Sequence, residues 1–77
     1  MPRTYSELYI AVRNRLREAG IEAAELEGKL ITATAAGKTT EKLLRDMRFY
    51  ATDEVEKRAE SMLKRRLFWS LGNESYA

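Results

Sequence analysis

Residues 4–21 read Thr4-Tyr5-Ser6-Glu7-Leu8-Tyr9-Ile10-Ala11-Val12-Arg13-Asn14-Arg15-Leu16-Arg17-Glu18-Ala19-Gly20-Ile21. Thr4 and Glu7 stand at the spacing of a capping box, in which each side chain satisfies a backbone N–H at the start of a helix. Tyr5, Leu8, Val12, Leu16 and Ala19 then recur at steps of three and four, which places them on one helical face. Arg13, Arg15 and Arg17 fall toward the end of the run, where cations suit the negative pole of the helix. Gly20 followed by apolar Ile21 is the signature of a helix stop. The stretch therefore predicts one amphipathic helix with both ends specified.

The same grammar repeats downstream. A second helix is predicted from about Ala23 to Ala36, with Glu22, Glu25 and Glu27 at its electropositive start and Leu26, Leu30, Ile31 and Ala33 as its buried stripe. Gly28 inside it costs about 1 kcal/mol relative to alanine, and a closely approaching neighbour helix would account for it. Gly37 ends the helix. Thr39 or Thr40 caps a short third helix through Glu41, Leu43 and Leu44. Arg48-Phe49-Tyr50-Ala51 reads as an irregular connector whose aromatics plug the core. Thr52 caps a last long helix with a stripe of Val55, Ala59, Met62, Leu63 and Leu67, and with Lys64, Arg65 and Arg66 as its basic end. No segment alternates with period two over strand length. The expectation is an all-α domain, a small bundle of four or five helices. It occupies residues 1–67, and 68–77 form an aromatic, turn-like tail or the start of an interdomain linker. In that tail Phe68 is expected to dock on the core, while Trp69 and Tyr76 are candidates to face a neighbour.

Composition narrows the chemistry. Seventy-seven residues make one small domain with little room for a deep substrate cavity. With 44% hydrophobic and 34% charged residues, the chain is too apolar for intrinsic disorder. It has no cysteine and no histidine, which removes thiolate metal sites, disulfides, the commonest zinc ligand and the commonest general base. No apolar run approaches the roughly 20 residues of a membrane span, and a cytoplasmic location is expected. A net charge of +2 is too small to argue for nucleic acid on its own.

Gly37-Lys38-Thr39 resembles the end of a phosphate-binding loop, but position 32 is threonine where that motif needs glycine, and a helix precedes it where the motif needs a strand. It reads instead as a helix stop followed by a cap. Glu22, Glu25 and Glu27, like Asp53, Glu54 and Glu56, read as helix-start anions and not as metal ligands. The basic residues offer two readings. Arg13, Arg17, Lys64, Arg65 and Arg66 complement helix C-termini, or they form a surface for an acidic protein or RNA if the two helices lie side by side.

The order of these elements is familiar. Thr4-Tyr5-Ser6-Glu7-Leu8, the Ala19-Gly20-Ile21 turn with Glu22 after it, Leu26 to Ile31, Gly37-Lys38-Thr39, Glu41 to Leu44 and Arg65-Arg66 together resemble the N-terminal domain of the HemK/PrmC family. That family methylates a glutamine of peptide-chain release factors. It usually has alanine at the place of Gly28, and a Gly-x-Pro and Tyr-Ile after the paired arginines, where this chain offers only Gly72 and Tyr76. The resemblance implies a release-factor recognition domain, with the five basic residues as protein contacts. It also implies that S-adenosylmethionine and an Asn-Pro-Pro-Tyr motif belong to a separate catalytic domain, itself a partner of this one. Neither catalytic nor cofactor-binding residues are expected in this chain. The competing expectation is a small helical nucleic-acid-binding module using the same basic clusters.

Overall fold

The first turn of α1 (Tyr5–Glu18) is where the fold closes on itself. The Thr4 hydroxyl accepts the Glu7 N–H at 3.1 Å, and the Glu7 carboxylate accepts the Thr4 N–H at 2.9 Å, completing the capping box. The two amides between them find partners far along the chain: Tyr5 donates to the Phe49 carbonyl at 2.8 Å and Ser6 to the Met47 carbonyl at 3.0 Å. Leu8 donates to the Thr4 carbonyl at 2.9 Å, so each of the first four helical amides is satisfied. Ala51 returns a bond to the Arg3 carbonyl at 2.8 Å, and Thr4 and Tyr50 form an isolated antiparallel bridge.

The computed structural model describes residues 2–76, with side chains to Trp69. Among them are four helices and no strand: α1, α2 (Ala24–Ala36), α3 (Thr40–Arg45) and α4 (Asp53–Tyr76). The all-α expectation holds. The stops and caps fall where the sequence puts them. Gly20 takes φ 82°, with Ile21 N–H on the Leu16 carbonyl and Gly20 N–H on that of Arg17, a Schellman closure. Gly37 ends α2 at φ 68° by the same pair of bonds, onto Ala33 and Thr34. Thr39 and Thr52 cap α3 and α4 through their hydroxyls.

The core joins Tyr5, Leu8, Val12 and Leu16 of α1 to Ala24, Ile31 and Ala35 of α2, Leu43 of α3, and Ala59 and Leu63 of α4. Leu16, Leu43 and Thr32 are its largest fully buried side chains. Thr32 is accommodated because its hydroxyl donates to the Gly28 carbonyl at 2.8 Å, one turn back in the same helix.

Four expectations need correction. The buried face of α2 is Ala24, Gly28, Ile31, Thr32 and Ala35, with Ala33 buried as well, while Leu26 is 60% exposed and Leu30 is exposed too. The reason is Gly28. A Cβ built there would sit 3.2 Å from the Tyr9 ring and 3.3 Å from the Arg13 Cα, so α1 lies against the small-residue face and rotates the leucines outward. Ala19, placed on the α1 stripe, is exposed beyond the end of the helix, and Tyr9 is buried instead. Phe49 and Tyr50 do not plug the core: they are 62% and 66% exposed, and the connector is held by its backbone bonds and by buried Ala51. Phe68 is 74% exposed, because α4 does not stop near Leu67 but continues helically to Tyr76 past the last core layer. The expectation for the Tyr76 side chain lies outside the described side chains.

Gly28→Ala should be close to neutral in thermal denaturation. About 1 kcal/mol of added helix propensity offsets a displacement of a few tenths of an ångström. Gly28→Leu should destabilise by about 3 kcal/mol, since it must push the two backbones apart. A leucine variant as stable as the parent would contradict the close approach.

Candidate protein-docking surface

The five basic residues marked in the sequence have different fates. Arg13 is half-buried on the α1–α2 seam, its Cα beside Gly28 and its guanidinium 5.6 Å from the centre of the Tyr9 ring. Its Nε is buried with no hydrogen-bond partner among the described residues. Arg17 reaches Glu25 of α2 at 3.4 Å. Arg66 of α4 forms a two-pronged pair with Glu27 of α2, Nε to one carboxylate oxygen and Nη2 to the other, the latter at 3.0 Å. Lys64 and Arg65 stay exposed; Lys64 has only a 3.9 Å approach to Glu60, one turn back.

α2 therefore stands between the two arginine groups. Glu25 and Glu27 are two residues apart, about 200° around the helix, so Arg17 and Arg66 grip opposite flanks of its first turn. The direct α1–α4 contact carries other groups: a cleft of about 130 Å³ lined by Arg3, Ala11 and Arg15 on one wall and Glu56 and Glu60 on the other, over Leu8, Val12 and Leu63. Arg3 and Glu56 pair across it at 2.6 Å. The structure brings Lys64 and Arg65 together but does not add Arg13 and Arg17 to them.

The acidic residues also turn out to have specific partners. Helix-start preference accounts for the placement of Glu25 and Glu27, yet both also bind arginines of other helices. The Arg66 hydrogen bonds hold the Glu27 carboxyl below its ordinary range and raise Arg66 in return. Lys38, from the phosphate-loop look-alike, bonds Asp46 at 2.8 Å and lies 5.5 Å from the Tyr5 ring centre. This bond lowers Asp46 and raises Lys38. Gly37 and Thr39 serve as stop and cap, as the bland reading of that tripeptide expects. Pairs separated by 39 and 53 residues, such as Glu27–Arg66 and Arg3–Glu56, leave no local signal in a sequence.

One exposed basic face was legible and missed. Lys57 and Arg58 precede Lys64 and Arg65 by seven residues, two helical turns, and all four are exposed. Counting by seven along α4 finds this face directly.

Fold and surface define a small four-helix domain whose charges divide into those that tie helices together and those that face outward. The family model described as the PrmC N-terminal domain matches residues 7–67. The chain belongs to that family, the helical N-terminal domains of PrmC-type methyltransferases. No curated protein matches it, and no solved structure does.

Glu27 and Asp46 have folded-state pKa values below their unfolded ones, so they stabilise the fold above the unfolded pKa and lose that contribution as pH falls through the folded one. The melting temperature should hold level from about pH 5 to 8 and fall below about pH 4. Glu27→Gln should cost about 1 kcal/mol at neutral pH, allowing for partial solvent screening, and make the acid decline shallower. An unchanged acid profile in that variant would remove Glu27 from the account.

Proposed function

We propose that this chain is the release-factor recognition domain of an S-adenosylmethionine-dependent protein-glutamine methyltransferase. The observation that carries the reading is the family match across residues 7–67, over an element order already similar to that family in sequence. The domain acts by positioning. It holds a second region of the protein substrate, so that the glutamine-bearing loop meets the catalytic domain at raised effective concentration. Such a domain works in the cytoplasm, beside its own catalytic domain.

The described residues do not fit the methyl donor. The α1–α4 cleft, at about 130 Å³, falls short of the roughly 300–1,000 Å³ of ordinary ligand pockets, and Arg3 and Glu56 close across it. In this reading, cofactor binding and methyl transfer belong to a separate domain, as the family resemblance implies. The competing nucleic-acid reading is weakened by Arg66, whose guanidinium is engaged by Glu27 through two hydrogen bonds.

Titration of the isotope-labelled 77-residue chain with an intact peptide-chain release factor tests the proposal by NMR. Saturable shifts confined to one face are expected. No shift at about 1 mM release factor, where even weak docking would register, would sink the release-factor assignment.

A further inference from the structure

Cations near the end of a helix need no explanation beyond its dipole, and that account served for Lys64, Arg65 and Arg66 while α4 was expected to stop near residue 67. The helix runs to Tyr76, and its last turn holds no basic residue. Lys64 and Arg65 lie three turns from its end, beyond the first or last turn in which the dipole acts. Arg66 is accounted for by Glu27. Among the described residues, Arg65 has no ion pair and Lys64 has a 3.9 Å approach to exposed Glu60.

They belong to a larger pattern. Lys57, Arg58, Ser61, Lys64, Arg65 and Phe68 are all exposed, and their three-, four- and seven-residue spacing places them on one side of α4. The opposite side, with Ala59 and Leu63, is in the core. The two cation pairs repeat after seven residues, about 10 Å along the axis. Lys57 and Arg65 have no ion pair with a described residue. Arg58 and Lys64 have only exposed one-turn contacts, at 3.5 Å to Glu54 and 3.9 Å to Glu60, and such pairs hold their partners weakly. Glu54 stands one turn before this stretch and Glu60 borders it on the side of the α1–α4 cleft, so the strip from Lys57 through Ser61 to Phe68 carries cations and no carboxylate at its centre. Ser61 keeps its middle low, and Phe68, 74% exposed, stands at one end.

We propose that this outward face of α4 docks an acidic amphipathic helix of a protein partner. Carboxylates two turns apart on that helix would meet the two cation pairs, and an apolar side chain would cover Phe68. The seven-residue repeat on a straight helix matches the periodicity of another helix laid along it. A protein is favoured over nucleic acid because the surface cations elsewhere are interspersed with carboxylates, and the net charge is only +2. The inference rests on the reading of the chain as a protein-docking domain, but it does not require that the partner be a release factor.

The test uses the whole 77-residue chain, isotope-labelled, and an alanine-based helical peptide of about 16 residues, long enough to hold helix. The peptide carries glutamates at seven-residue spacing and one leucine. Saturable shifts should be confined to residues 54–69. Lys57→Glu with Arg65→Glu should weaken binding by about tenfold or more, and Lys57→Gln with Arg65→Gln by less, both with unchanged melting temperature since neither residue packs internally. Shifts spread over Lys42, Arg45 and Arg48 as well, or none, would overturn the proposal. So would tighter binding of a uridine oligonucleotide of about 12 residues to the same face. The release factor separates the two readings. If it binds the parent chain and the charge-reversed variant equally, the recognition function stands on another face, and the peptide result alone decides the α4 surface. If the peptide binds and the release factor does not, the surface stands and its assignment to release factors falls.

Discussion

The arrangement of this domain depends on how closely α1 and α2 can approach, and Gly28 sets that distance. With no side chain at this position, the Tyr9 ring and the Arg13 backbone come within 3.2–3.3 Å of where a Cβ would be. Once α1 rests there, the face of α2 that it buries must be made of small residues, and Ala24, Thr32 and Ala35 supply it. The flanks of α2 then carry Glu25 and Glu27 to either side, where one arginine from α1 and one from α4 reach them. A longer residue at the seam would displace both pairs together. The buried Thr32 depends on the same glycine through its carbonyl.

Charge is used in two ways. Lys38–Asp46 and Arg66–Glu27 are partly buried pairs with shared hydrogen bonds, and each moves the pKa of both members toward the charged form. They fix how α3 and α4 meet the rest of the chain more than they add stability, since desolvation offsets much of the attraction. The cations of the outer α4 face make only loose contacts along their own helix. Adjacent residues in the chain, Arg65 and Arg66, thus serve opposite purposes, because about 100° of helical rotation separates a solvated position from one facing α2.

The readable parts of the fold were those with local causes. Capping hydroxyls, the two stop glycines, the α1 stripe from Tyr5 to Leu16 and the inward residues of α4 are set by spacings of a few residues, and they came out as expected. The sequence misled where a distant neighbour decided the outcome. Leu26 and Leu30 look like a core stripe until Gly28 determines which way α2 turns. Phe49 and Tyr50 look like core aromatics until the backbone of their own segment pairs with residues 3–6. The end of α4 was misjudged because Gly72 and the polar residues after it resemble a turn, whereas the helix carries through them. Of the site, Lys64 and Arg65 were visible on composition alone. Arg66 and Arg17 were not separable from them without knowing where Glu27 and Glu25 lie.

The bonds from Tyr5, Ser6 and Ala51 to the opposite segment have a consequence for the order in which the molecule comes apart. They join residue 3 to residue 51 and so tie α1, α2 and α3 into a closed ring of chain from which α4 departs. For α4 to loosen while that ring stays shut, its pairs Arg66–Glu27 and Glu56–Arg3 must part, along with the core contacts of Ala59 and Leu63. The amides of Tyr5 and Ser6 cannot open until the ring itself does. α4 is joined to that ring by side chains alone, so a partner laid along its outer face would add to the contacts that hold it there.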